Sequence, residues 1–172
     1  NIPHELVLEA WQSTKNENQK LAVKILGVAQ GVCFFIPADQ ARAFAGDLLQ
    51  DVASFQLGSN ELVATAIRTL MAVCENKAPS PEQGEAIMKD CGATLLNACS
   101  QILCNKQTDD RLTNAALFTL GELALVGFDP DEVKSCLLRV DDTTLTCVQS
   151  FCIERDTCSK TKALAFITLG KL

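Results

Sequence analysis

The sequence predicts an all-α fold, a solenoid of stacked antiparallel helix pairs. Three observations carry that expectation. Ala and Leu dominate and β-branched runs are short, which favours helix over strand. No stretch shows the apolar–polar alternation of a half-buried strand. A phrase of Ala, three residues, Leu and usually Gly returns in every second helical segment. Of the 172 residues, 48% are apolar and 21% charged, a composition that folds. With eight Phe, one Trp and no Tyr, the core must be mainly aliphatic.

The punctuation divides the chain into eight helices in four pairs, approximately 1–33, 37–77, 80–127 and 129–172, forming one continuous segment. "HELVLEAWQST" is a short amphipathic opening, and "NENQKLAVKILGVAQGV" follows with apolar residues at Leu21, Ile25, Val28 and Val32. Pro37 suits the first position of the third helix, because its missing N–H would have had no helical partner there. Gly58 closes that helix and Ser59 caps the next. Ser80, Pro81 and Gln83 read as a capping box with proline in the first turn. Gly127 is a natural stop for the sixth helix. Asp129, Pro130 and Glu132 repeat the same start grammar for a seventh, "DPDEVKSCLLRV". Residues 141–158 carry no clear pattern, and "SKTKALAFITLGKL" is the last helix.

The recurring phrase aligns as Ala22–Leu26–Gly27, Ala66–Leu70 with Met71 in the glycine position, Ala116–Leu120–Gly121 and Ala165–Leu169–Gly170. The copies recur at roughly 44–50 residues, close to the ~40–47 of helical arrays of the HEAT and armadillo kind. Ala and Leu four apart share one helix face. The leucine supplies apolar area, and the alanine leaves room for a paired helix. Gly in a helix interior costs about 1 kcal/mol relative to Ala, so Gly27, Gly121 and Gly170 are expected at close approaches to a neighbouring helix. Such a unit cannot bury its apolar face alone and needs neighbours. The chain has no initiator Met, no leader-like start and a last helix that stops within its pattern. It is therefore expected to be a piece of a longer array.

The net charge of −6, with an acid surplus in both halves, is the reverse of an autonomous nucleic-acid binder. No apolar run approaches the ~20 residues that span a bilayer. The nine cysteines, Cys33, Cys74, Cys91, Cys99, Cys104, Cys136, Cys147, Cys152 and Cys158, form no C-x-x-C. The single His4 lies far from them, which disfavours structural zinc and leaves thiols acting as small buried hydrophobes. With one histidine and no G-x-x-x-x-G-K loop, neither a nucleophile–base pair nor a phosphate cradle is legible. No catalytic, cofactor or metal residue is expected. Asp109–Asp110 and Asp141–Asp142 sit beside helix starts, where acids favour the dipole. Arg155, Lys160, Lys162 and Lys171 form the only local basic surplus, beside Glu154 and Asp156, and are the candidate DNA or partner contacts. Lys20 and Lys24 lie one helical turn apart, and both sets also fit an ordinary solvated face.

The last eleven residues, "KALAFITLGKL", together with "FTLGELA" at 118–124, resemble the D-type HEAT-repeat, non-SMC subunit of condensin II. The Trp11 region, with the helices through 77, resembles the units upstream in the same subunit. The form Ile167-Thr168-Leu169-Gly170-Lys171 points to condensin II over condensin I. The family's Asp-then-Arg ladder is degraded here, with only Lys162 at the basic position before Ala165. The resemblance implies a non-catalytic subunit that joins kleisin and SMC partners on nuclear chromosomes during mitotic condensation. The ATPase would lie in those partners, and DNA would be gripped by the whole complex. The rival reading is another HEAT or armadillo adaptor, a transport receptor, phosphatase scaffold or coat adaptor, binding linear peptides in a concave groove.

Overall fold

The computed structural model describes residues 4–54, 57–75, 81–105, 108–125 and 142–172. Among them there are eight α-helices and no strand. They are α1 (His4–Thr14), α2 (Gln19–Val32), α3 (Ala38–Ala53), α4 (Asn60–Glu75), α5 (Pro81–Cys104), α6 (Asp110–Leu125), α7 (Asp142–Ile153) and α8 (Ser159–Lys171). A 3₁₀ turn at Cys33–Phe35 follows α2. The chain divides into two compact units, Asn1–Cys91 and Gly92–Leu172, with the boundary inside α5.

Local chemistry explains most of the starts. Asn18 Oδ1 accepts from the Leu21 N–H at 3.1 Å, so α2 begins after a side-chain cap and three residues later than "NENQ" suggests. Ser59 Oγ accepts from Leu62 N–H at 3.3 Å, and Asp109 Oδ1 from Leu112 N–H at 2.9 Å. The Asp109–Asp110 pair is thus a cap followed by a first-turn acid. Pro37 stands one position earlier than its sequence suggests, as an extended N-cap with φ −57° and ψ 149°, and its carbonyl accepts from Ala41 N–H. Pro81 does open α5. The Ser80 cap, the Gly127 stop, Asp141 and the expected helix at 129–140 lie outside the described residues, as does the side chain of Gln83.

One described helix was not foreseen. The helix that packs on α8 is α7, drawn from the stretch that carried no clear pattern. Its buried residues are Thr144 and Val148, four apart, and its remaining surface is rich in Thr, Ser and Cys. Threonine is a weak helix former, so tertiary packing along that two-residue stripe decides its state.

Within the first unit, α1 packs on α2, α3 on α4, and α2 directly on α4. Trp11, Leu26, Leu48, Leu62, Ile67 and Leu70 fill the core. Polar links join α1 to α3: Gln12 donates to Asp47 and Lys15 pairs with Asp51, each at 2.7 Å. Within the second unit, α7 packs on α8 and α6 on α8, around Leu117, Leu120, Val148 and Ala165. In both units, alternate helices therefore stack on one another. This packing is compatible with a helical repeat.

The register residues lie where that stacking occurs. Ala22, Leu26, Ala66, Leu70, Ala116, Leu120 and Ala165 are fully buried, and Leu169 is half-buried. The glycines divide. A Cβ on Gly121 would lie 3.2 Å from Lys171 Cδ, 3.4 Å from Thr168 Oγ1 and 3.6 Å from Thr168 Cα, a true close approach of α6 to α8. A Cβ on Gly27 or Gly170 would meet nothing within 4 Å, so the close-approach expectation fails there. Both occupy the exposed side of their helices, one residue past the register leucine.

Candidate functional site

The repeated phrase contains a working residue that its Ala–Leu spacing conceals. Thr69, Thr119 and Thr168 each precede a register leucine, and all three are buried. Thr168 Oγ1 donates to the Leu117 carbonyl at 2.9 Å, tying α8 to the backbone of α6. Thr69 Oγ1 back-bonds to the Thr65 carbonyl at 2.8 Å, accepts from Gln30 Nε2 at 3.0 Å, and lies 3.4 Å from the Leu26 carbonyl. Thr161 adds a buried bond to Asn114 Oδ1 at 2.9 Å. Burying a hydroxyl without a partner costs free energy. Thr161 and Thr168 meet that demand with an atom of the stacked helix, which fixes register as well as proximity. The signal was present in the sequence as Thr-Leu in three of the four copies.

In the second unit, the end of α5, the start of α6, α7 and the α7–α8 turn enclose a cleft of about 410 Å³. Asp110, Glu154 and Asp156 supply acid to its wall, and Thr108, Ser150, Thr157 and Thr161 supply hydroxyls. Two thiols face each other on the same wall, Cys104 and Cys147, with Sγ atoms 3.1 Å apart. The acids and hydroxyls suit a cationic or hydrogen-bond-donating group. The wall holds no histidine.

The four basic candidates do not form one patch. Arg155 lies in the α7–α8 turn and Lys160 in the first turn of α8, both exposed, and Lys162 is half-buried. Lys171 stands at the far end of α8, about 16 Å away along the axis at 1.5 Å per residue. Its Nζ is bonded to the Glu122 carboxylate. Lys171 therefore helps to hold α8 on α6 and stands apart from the other three. Lys20 and Lys24 are exposed on α2.

Burial separates the cysteines. Cys33, Cys74, Cys91 and Cys99 are buried, as expected of small hydrophobes, while Cys104 is exposed and Cys147, Cys152 and Cys158 are half-buried. Burial pushes the Cys99 thiol up to about 12 and raises Cys91, where neighbouring Asp90 adds to the effect. Among the described residues no group of three His, Cys, Asp or Glu side chains could hold a metal ion. No described helix is long and apolar enough to cross a membrane.

Each unit also exposes apolar side chains. The first shows Leu6 on α1 with Leu21 and Val28 on α2, around a groove of about 290 Å³ that also touches Ala10, Lys24 and Ile25. This is the stripe visible in the sequence, but the residues that α2 buries are the adjacent Ala22, Leu26 and Ala29. The second unit exposes Ile153, Phe166 and Ile167, at 80%, 61% and 54% of their full areas. By contrast, most described residues of α4 and α6 are buried, although Phe118 of α6 is 44% exposed. Comparison with known proteins gives no match: no family model, no curated protein and no solved structure matches this chain.

Proposed function

We propose that this chain is a non-catalytic scaffold segment of a HEAT-type solenoid. We place it in the D-type subunit of condensin II, acting in mitotic chromosome condensation through kleisin and SMC partners. One observation carries the scaffold part of the reading. The Ala–Leu register recurs four times, and the helices bearing it stack directly, α2 on α4 and α6 on α8. A fold that spends its apolar pattern on helix-to-helix stacking leaves long surfaces for partners. The contrast between the largely buried α4 and α6 and the one-sided α2 and α8 supports the same reading. The step to condensin II rests on the resemblance of residues 118–124 and 162–172.

Net charge −6 argues that DNA contact by the complex runs mainly over other units, with chromosomes in the nucleus as the site of action. The decisive experiment is co-precipitation of the tagged chain with purified kleisin and SMC subunits, alongside a linear-peptide library. Recovery of kleisin or SMC protein is the expected result. Selection of linear peptides without either would replace the reading with a HEAT or armadillo adaptor. A gel shift at low salt is expected to show at most weak DNA binding, reduced by Lys160→Ala with Lys162→Ala. Complete absence of a shift would remove both as contacts.

A further inference from the structure

We propose that Cys104 and Cys147 form a reversible disulfide that staples α5 to α7 across the wall of the acidic cleft. The two residues are 43 apart in sequence, and their sulfurs lie 3.1 Å apart. A bonded pair stands at about 2.05 Å, so closing the bond requires a sulfur displacement of only about 1 Å. Side-chain rotation can supply that at a surface position. Cys104 is the last residue of α5 and is exposed, so a small oxidant reaches it without unfolding the chain. Cys147 is half-buried beside it in α7, placed to resolve an adduct on Cys104.

The other described cysteines are less suited. Cys33, Cys74, Cys91 and Cys99 are buried, and the Cys99 thiol is held far from ionisation at neutral pH. Cys158 lies within 3.1 Å of Thr161 Oγ1, and Cys152 Sγ faces the Val148 carbonyl of its own helix. The thiolate is the attacking species in exchange. The pair at the cleft is thus distinguished by access and by mutual distance together.

The oxidant class is a low-molecular-weight disulfide such as glutathione disulfide. The Cys104 thiolate attacks one of its sulfurs, forming a protein–glutathione mixed disulfide and releasing one glutathione thiolate. The Cys147 thiolate then attacks Cys104 Sγ. The mixed disulfide breaks and a second glutathione thiolate leaves. The two protons lost by the protein thiols are taken up by the two glutathione thiolates, and the protein pair is oxidised as glutathione disulfide is reduced. Excess glutathione reverses both steps.

The test equilibrates the 172-residue chain with graded ratios of glutathione to glutathione disulfide. Acid quenching, alkylation and non-reducing peptide mapping by mass spectrometry follow. The expected product has lost two hydrogens, links the peptides containing residues 104 and 147, and melts at a higher temperature than the reduced chain. Cys147→Ser is expected to stop at the glutathione adduct on Cys104. Cys104→Ser is expected to leave Cys147 alkylatable, and circular dichroism confirms that both variants fold. Preferential pairing of Cys104 with Cys158, or a wild-type chain that stops at the Cys104 adduct, would overturn the assignment. So would alkylation of both residues at every ratio.

Discussion

Three glycines occupy the position after a register residue, yet they meet different surroundings. Gly121 faces the backbone of α8, whereas Gly27 and Gly170 face open space. Gly27→Ala and Gly170→Ala are expected to stabilise the chain by about 0.5–1 kcal/mol each in urea unfolding, because alanine loses less backbone freedom. Gly121→Leu is expected to destabilise by about 1–3 kcal/mol through overpacking against Thr168. Gly121→Ala should fall between, since its nearest contact is the flexible Lys171 chain. A stabilised Gly121→Leu variant would contradict the close approach. The buried thiols impose a pH dependence of definite sign. Cys99 ionises in the unfolded chain near its ordinary value of 9.0, but only near about 12 when folded. Below 9 both states are protonated and this thiol contributes no pH dependence. Above 9 the unfolded state binds fewer protons, so stability falls with rising pH, by at most about 1.4 kcal/mol per unit for this one thiol. Urea unfolding at pH 8 and pH 10 is expected to show the drop, and Cys99→Ala to reduce it while Cys91 keeps part.

At the scale of the element, α1 depends on one side chain. Trp11 is fully buried, its ring lies 5.9 Å from Lys15 Nζ, and Lys15 in turn pairs with Asp51 of α3. Trp11→Ala is expected to cost about 3–5 kcal/mol. Trp11→Phe should cost clearly less, because the buried indole N–H has no hydrogen-bond partner among the described residues. Equal losses in chemical denaturation would show that the indole N–H does make a bond. The start of α4 was legible from Ser59 and that of α6 from Asp109, because capping is a local contest for orphan N–H groups. The existence of α7 was not legible. Its sequence places two threonines beside Asp142 and only Thr144 and Val148 in the core, so α8 decides its conformation.

At the scale of the molecule, the open apolar faces should govern solution behaviour. Leu21 and Val28 in the first unit, and Phe166 and Ile167 in the second, leave apolar area in water. The isolated chain is expected to self-associate with rising concentration in sedimentation velocity. Leu21→Ser with Val28→Ser, or Phe166→Ser with Ile167→Ser, should each weaken that association while leaving the helical signal intact. A wild-type chain that stays monomeric throughout would show that these faces need no cover. The basic candidates were visible in the sequence, but their grouping was not, since Lys171 is engaged by Glu122 from another helix.

The sequence by itself determined the helical class, most of the helix starts and the four-copy Ala–Leu register, because propensity, capping and helical periodicity act over a few residues. Tertiary structure alone decided which of the three register glycines is needed, where α7 lies, and that Thr168 of α8 holds the backbone of α6. It also decided that two cysteines 43 residues apart become neighbours. Those outcomes depend on which surfaces meet when helices stack, and contacts about one repeat length apart leave no trace in any local window.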